Sequence, residues 1–278
     1  MTKMDLINKL GIIAGEGKMP LYIAREARKA GVSVYVSCIK GNCEAETFKP
    51  YSDGAVTLGL GQISKAIKFF KDNGVTQAVM AGRVKHTSIF SLLPDLRTAA
   101  ALAKLPDMRA KTLLEGVMAE FKKDGIEFVS SALFLEHFIA KKGPLTKNKP
   151  SAKEEKTIKF GIEISRSLSS HDIGLTSVIA DRAVIALEGM EGTDRCISRA
   201  GELYKESGSK YGALVVVKAA RPDQDMRFDL PVVGKGTVES MVKAGAGVLA
   251  VESGKTLIMD IDDTLALADK NKISVVGF

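Results

Sequence analysis

The chain of 278 residues has no tryptophan, and aromatic residues make up only 6% of it. No lysine- or arginine-rich segment is interleaved with aromatics, so a base-stacking platform has no support and no nucleic-acid partner is expected. Cysteine is scarce: Cys38, Cys43 and Cys196. An odd, sparse set makes no disulfide framework. Two thiols without a nearby histidine fall short of the four ligands of a structural zinc site. Buried or idle thiols are the expectation. The histidines, His86, His137 and His171, stand apart, with no HExxH or paired spacing. His86 follows Gly82-Arg83-Val84-Lys85 and is placed near a substrate; the other two read as structural. The absence of a GxSxG elbow disfavours an α/β-hydrolase esterase. No uninterrupted apolar run reaches membrane-spanning length. The first apolar stretch is broken by charge and glycine too early for a signal-peptide core. The expectation is a cytoplasmic protein, with at most peripheral contact with the inner membrane surface.

Hydrophobic residues make up 45% of the chain and charged residues 26%, an ordinary globular balance with enough apolar surface for a sizeable core. The length suggests two domains or one large one. The formal net charge of +7 favours anionic partners such as phosphates, nucleotides or an anionic membrane. A mildly basic soluble protein has the same balance.

Strand and helix patterns alternate through the first half. Lys9–Ala14 reads as a buried strand, Leu21–Lys29 as a helix opened by Pro20, Val32–Ile39 and Ala55–Leu58 as strands. Ile63–Phe70 reads as a helix stopped by Asn73-Gly74, and Thr76–Met80 as a strand. This winding predicts a parallel sheet of Rossmann type. Leu92–Lys123 is helix-rich, with core positions at Leu114, Val117, Met118 and Phe121, a face that also fits an apolar groove. Glu127–Ser130 is a further strand. Lys141–Lys159 then holds seven lysines, two glutamates and two prolines, the sharpest composition change in the chain and a solvated linker by its pattern. Beyond it come a helix over Thr157–Leu168, strands Thr176–Ala180 and Ala183–Leu187 joined as a hairpin by Asp181-Arg182, and a helix over Thr193–Glu206. A strand over Ala213–Lys218, a helix over Val238–Ala244, and strands Val248–Val251 and Leu257–Met259 follow. The predicted fold is α/β: an N-terminal Rossmann-like parallel-sheet domain over residues 1-138 and a C-terminal mixed α/β catalytic domain over residues 139-278, with the linker roughly within 138-152.

Three loops could do chemistry. Gly15-Glu16-Gly17 follows the first strand, where open α/β sheets bind nucleotides. Its flanks fit neither GxGxxG nor a Walker A loop, so it is a phosphate contact or a plain tight turn. Glu188-Gly189-Met190-Glu191-Gly192-Thr193-Asp194 packs three carboxylates, two glycines and a hydroxyl into seven residues at a strand end. Glu188, Glu191 and Asp194 suit Mg²⁺. Equally, this is a turn whose Asp194 complements a helix dipole. Gln224-Asp225-Met226-Arg227-Phe228-Asp229 follows the strand ending at Lys218. Asp225 and Asp229 can hold a metal and orient water, while Arg227, Arg221 and Lys218 can hold phosphates. The alternative is a surface loop with a local Arg–Asp pair. Leu257–Leu265 (LIMDIDDTL) matches the DxDxT nucleophile loop of haloacid-dehalogenase-type phosphatases, with Asp260 as nucleophile. Only thirteen residues follow it, too few for the rest of that fold. It reads instead as a strand and a final helix capped near Asp262 or Asp263.

Taken together, five segments resemble one family. GIIAGEGKMP near the start, MAGRVK at Met80–Lys85, HDIG at His171–Gly174, ALEGMEGTD at Ala186–Asp194 and QDMRFDLPVVGKGTV at Gln224–Val238 are similar, in order and spacing, to the LpxI-type UDP-2,3-diacylglucosamine pyrophosphatases. Leu175 and Gly189 depart from that pattern. The resemblance implies hydrolysis of a glycolipid UDP-sugar to UMP and 2,3-diacylglucosamine 1-phosphate in the lipid A synthesis of Gram-negative bacteria. It implies Mg²⁺ or another divalent cation, and a ligand between two domains. It makes Asp225 first choice for metal binding or water activation, with Asp229 next and Arg227 beside them. Glu188, Glu191 and Asp194 become metal or phosphate-site candidates. Gly15, Gly17 and Gly82, with Arg83, Lys218, Gln224 and Thr193, become substrate contacts. A homodimer fits this reading. The competing expectation is a nucleotide- or glycolipid-binding regulator without catalysis.

Overall fold

A computed structural model describes residues 7–84, 94–107, 110–171, 173–208, 212–221 and 230–278. It divides into two compact units, Met1–Leu135 and Glu136–Phe278.

The first unit is built on β1 (Lys9–Ala14), α1 (Met19–Lys29), β2 (Ser33–Ile39), β3 (Gly54–Leu58), α2 (Ile63–Asp72), β4 (Gln77–Ala81), α3 (Leu96–Leu102), α4 (Ala110–Lys123) and β5 (Glu127–Phe128). The sheet runs β3-β2-β1-β4-β5, all parallel. β1 is buried almost throughout because helices cover both faces of such a sheet. Consecutive aromatic contacts link Phe70 of α2, Phe121 of α4 and Phe128 of β5. Beside them Arg97 donates to Glu120 at 2.7 Å, tying α3 to α4. Cys38 and Cys43, read as buried or idle thiols, are paired as a disulfide with Cα atoms 5.3 Å apart, and Cys38 is buried. The turn through Gly41, at φ +80°, brings the chain back on itself and makes that approach, which the spacing of two cysteines did not disclose.

The second unit carries β6 (Gly143–Pro144), α5 (Ala152–Ser170), β7 (Thr176–Ala180), β8 (Ala183–Leu187), α6 (Thr193–Glu206), β9 (Leu214–Lys218), β10 (Val232–Val233), α7 (Lys235–Ala244), β11 (Ala246–Val251), β12 (Leu257–Ile258), α8 (Ile261–Lys270) and β13 (Ser274–Gly277). Its main sheet runs β6-β13-β11-β9-β7-β8. β9, β11 and β13 are parallel, while β6, β7 and β8 run against their neighbours. Alternation along the strands separates two cores. Val216, Leu249 and Val251 face α6, α7 and α8 through Ile197, Val238, Met241 and Ala268. Val215, Val217, Val248 and Ala250 face the other way, onto Ile158 and Ile162 of α5. The unit is therefore three layers deep.

Two expectations change here. The lysine-rich stretch around 141–159 is no free tether. β6 pairs with β13, Leu145 N–H donates to Val275 O at 2.8 Å, and α5 opens with a capping box between Ser151 and Glu154. The lysines stay on its outer side, and the backbone pairing that locks it in place leaves no trace in composition. The helix after Asp260 is also not the last element. β13 follows and lies inside the sheet, between β6 and β11. Its four residues, Ser274–Gly277, are too few for periodicity to distinguish a strand from a loop.

Candidate active site

In the second unit a polar array is built at the carboxyl ends of the parallel strands, the edge where open α/β sheets place ligands. Lys218 is the last residue of β9 and is 5% exposed. Its Nζ donates to Thr193 Oγ1 at 2.7 Å and lies 3.4 Å from Thr176 Oγ1. The Thr193 hydroxyl donates in turn to Glu188 Oε1 at 2.9 Å. The other Glu188 oxygen accepts from Leu175 N–H at 3.2 Å and stands 3.8 Å from Lys218 Nζ. The members come from the start of β7, the end of β8, the first turn of α6 and the end of β9. β7 runs against β9, so its first residue meets the last of β9: Thr176 pairs with Lys218. Gly174 has no room for a side chain, because a Cβ there would collide with the Glu188 carbonyl.

Glu188 is 8% exposed. Burial alone pushes its carboxyl upward, but the charge of Lys218, the two threonine hydroxyls and the Leu175 N–H outweigh it. The result lies below the usual glutamate range. Cys196 is fully buried below this array, and burial pushes its thiol up to about 12.

Glu252, immediately after β11, is a further buried carboxylate at this edge and was not singled out from sequence. Its Oε2 accepts from Ala220 N–H at 2.9 Å, and Lys255 Nζ sits 2.9 Å from its Oε1. Thr176 was missed as well. The available signal was positional: both flank strand ends that the pattern located.

The other proposed ligands are engaged elsewhere. Glu191 pairs with Arg199 at 2.6 Å and accepts from Gly189 N–H at 3.0 Å, contacts that hold its carboxyl below the usual range, with Arg199 the larger cause. Asp194 accepts from Thr237 Oγ1 at 3.1 Å, linking the first turns of α6 and α7. Of the 186–194 loop, then, Glu188 and Thr193 join Lys218, while Glu191 and Asp194 fasten the surrounding backbone. Among the described residues no three His, Cys, Asp or Glu side chains form a group able to hold a metal. Gln224, Asp225, Arg227 and Asp229, with Lys85 and His86, lie outside the described residues.

In the first unit the glycine turn sits at the topological switch point, where β1 lies between β2 and β4. Glu16 and Arg83 form an antiparallel bridge: Glu16 N–H donates to Arg83 O at 2.7 Å, and Arg83 N–H to Glu16 O at 2.9 Å. A Cβ on Gly15 would stand 2.5 Å from Arg83 O, and one on Gly82, at φ +90°, 2.7 Å from the Gly15 carbonyl carbon. These two glycines serve the approach of one loop to the other. Gly17, at φ +106°, has open space around its missing side chain.

Structural neighbours are distant. The biotin carboxylase subunit of pyruvate carboxylase is 12% identical, with a TM-score of 0.27, over 74% of this chain and 42% of its own. The biotin carboxylase domain of the Hydrogenobacter thermophilus 2-oxoglutarate carboxylase gives 12%, 0.27, 77% and 44%. This chain spans less than half of either. The family model of the LpxI N-terminal domain matches residues 9–138 and that of the LpxI C-terminal domain residues 141–276. The UDP-2,3-diacylglucosamine pyrophosphatase LpxI of Caulobacter vibrioides is 28% identical over 277 residues, 98% of each chain. With both family domains matched in order, the chain belongs to the LpxI family.

Proposed function

We propose that this protein hydrolyses the pyrophosphate of UDP-2,3-diacylglucosamine in lipid A biosynthesis, giving UMP and 2,3-diacylglucosamine 1-phosphate. The observation that carries this reading is the end-to-end similarity to a relative named as that pyrophosphatase. The Glu188–Thr193–Lys218 array supports it by placing charge and hydroxyls at the sheet edge where α/β proteins take ligands.

A diphosphate repels an incoming nucleophile, so cations must offset its charge. Lys218 contributes charge from beneath the surface, its Nζ donating to Thr193, and the part-exposed Arg221 stands three residues on. A divalent cation, when bound, would supply further charge compensation. The described carboxylates do not assemble a cage for it: Glu191 and Asp194 are committed to Arg199 and Thr237. The family resemblance makes Asp225 the first choice for holding Mg²⁺, with Asp229 next. The substrate's acyl chains and the net charge of +7 suit work beside an anionic inner-membrane surface. No described helix is long and apolar enough to cross a membrane.

The test is UMP release from UDP-2,3-diacylglucosamine by the purified protein with Mg²⁺, then with chelator, then with Asp225→Ala. Release should need the cation and vanish in the variant while its circular dichroism is unchanged. Unchanged turnover in Asp225→Ala removes that residue from the mechanism. Tight UDP-sugar binding with no metal-dependent UMP would favour the non-catalytic regulator.

A further inference from the structure

We infer that Glu252 is a positioning residue that sets how the chain leaves β9, and through it the placement of Lys218 and Arg221; the inference rests on the hydrolase reading above. Glu252 grips the end of β9 at two points. Its backbone N–H donates to Lys218 O at 3.2 Å, and its Oε2 accepts from Ala220 N–H at 2.9 Å. The two bonds bracket Ala219, whose own N–H donates to Leu175 O at 3.0 Å from the β7 side. Ala219 and Ala220 are 0% and 2% exposed, so water does not serve these amides. Leu175 is in turn held by Glu188 through its N–H. The backbone beyond β9 is thus pinned from both neighbouring strands, by one carboxylate directly and by another through Leu175.

A carboxylate is an unusual choice for this duty. A buried charge is costly to keep unless it is paired. Here Lys255 Nζ lies 2.9 Å and Arg166 Nη2 3.8 Å from Glu252 Oε1, leaving Oε2 for the amide. The division of labour between the two oxygens separates two roles. If reach matters, the acceptor facing Ala220 must be kept; if charge matters, the cations facing Oε1 must be answered.

Two substitutions distinguish these. Glu252→Gln keeps the length and can keep an acceptor at Ala220, but loses the charge. Glu252→Asp keeps the charge and withdraws the carboxylate by one methylene. UMP release would be measured for both against the wild type, as kcat and KM, with amide hydrogen exchange at Ala220 read in parallel. Positioning predicts that Glu252→Asp lowers kcat roughly 10- to 100-fold with KM little changed, the range for losing a hydrogen bond to a charged group. Glu252→Gln should stay within a few-fold of wild type. Ala220 should exchange faster in Glu252→Asp alone. Equal kcat in the two variants, or a loss confined to Glu252→Gln, overturns the assignment. So does an Ala220 amide that exchanges alike in wild type and Glu252→Asp, a readout that stands even if the wild type releases no UMP. Failure of the hydrolase reading would appear in the wild type alone.

Discussion

Replacing Glu188 with Ala removes an acceptor from the threonine hydroxyls and the Leu175 N–H, and a counter-charge from Lys218. The Thr193 hydroxyl and the Leu175 N–H lose their carboxylate oxygens, and Lys218, 5% exposed, loses the carboxylate 3.8 Å from its Nζ. Breaking a buried pair by deleting one partner costs about 3–5 kcal/mol, because the remaining buried charge loses compensation. For a folded unit of this size, each kcal/mol moves the midpoint by roughly 3 °C, so Glu188→Ala should melt about 10 °C or more below wild type. Replacing both members, as Glu188→Leu with Lys218→Met, removes the charge with its partner and should recover most of that loss. A circular-dichroism melt gives the midpoints, and hydrogen exchange over Leu214–Lys218 assigns the transition to the second unit. A Glu188→Ala midpoint within about 2 °C of wild type, or a double variant no more stable than the single, would refute the buried-pair account.

Further outcomes follow from other contacts. Gly82→Ala should destabilise the first unit by about 2 kcal/mol or more, since it forces a residue at φ +90° into a Cβ contact of 2.7 Å with the Gly15 backbone; a denaturant titration measures it. In the β7–β8 hairpin Asp181 and Arg182 stand at φ +44° and +65°, so Asn-Gly in their place should stabilise the second unit by about 1 kcal/mol, read as a raised midpoint. The Lys153–Asp181 ion pair, at 3.1 Å, is exposed and offsets little of that gain. Glu188 and Glu120 both have folded-state pKa values below the ordinary one, Glu188 with burial outweighed by Lys218 and its hydrogen bonds, Glu120 chiefly through Lys123. Their stabilisation is present above the unfolded glutamate pKa, about 4.3, and is lost as pH falls through the folded values. Midpoints should hold near neutral pH and fall below about pH 4.5, less steeply for Glu188→Gln; a pH-independent midpoint would count against it.

The sequence made the element order legible because the patterns are local. Thr193–Glu206 is a helix in the structure with the same bounds, and the two strands around Asp181-Arg182 form the expected hairpin. The Gly-Glu-Gly turn was placed correctly after β1, but the reason for Gly15 and Gly82 was not visible. They accommodate each other's backbone, and only the β1–β4 pairing puts residues 15 and 82 side by side. Carboxylate density in 188–194 read as one site, yet direction along the chain separates its members. Glu188 points at Lys218, Glu191 at Arg199 and Asp194 at Thr237. Glu252 looked unremarkable because its partner amide is thirty-two residues away.

What the amino-acid order settled by itself was the α/β class, the parallel first half and mixed second half, and the family, since periodicity, turn chemistry and motif order are properties of neighbouring residues. Tertiary structure decided which polar residues meet. Thr176, Glu188, Thr193, Lys218 and Glu252 converge because β9 lies between β7 and β11, an order created by crossovers that local pattern does not encode. It also joined Cys38 to Cys43 and placed the C-terminal strand inside the sheet. Strand order depends on long-range burial and hydrogen bonding, and those are satisfied by the whole chain at once.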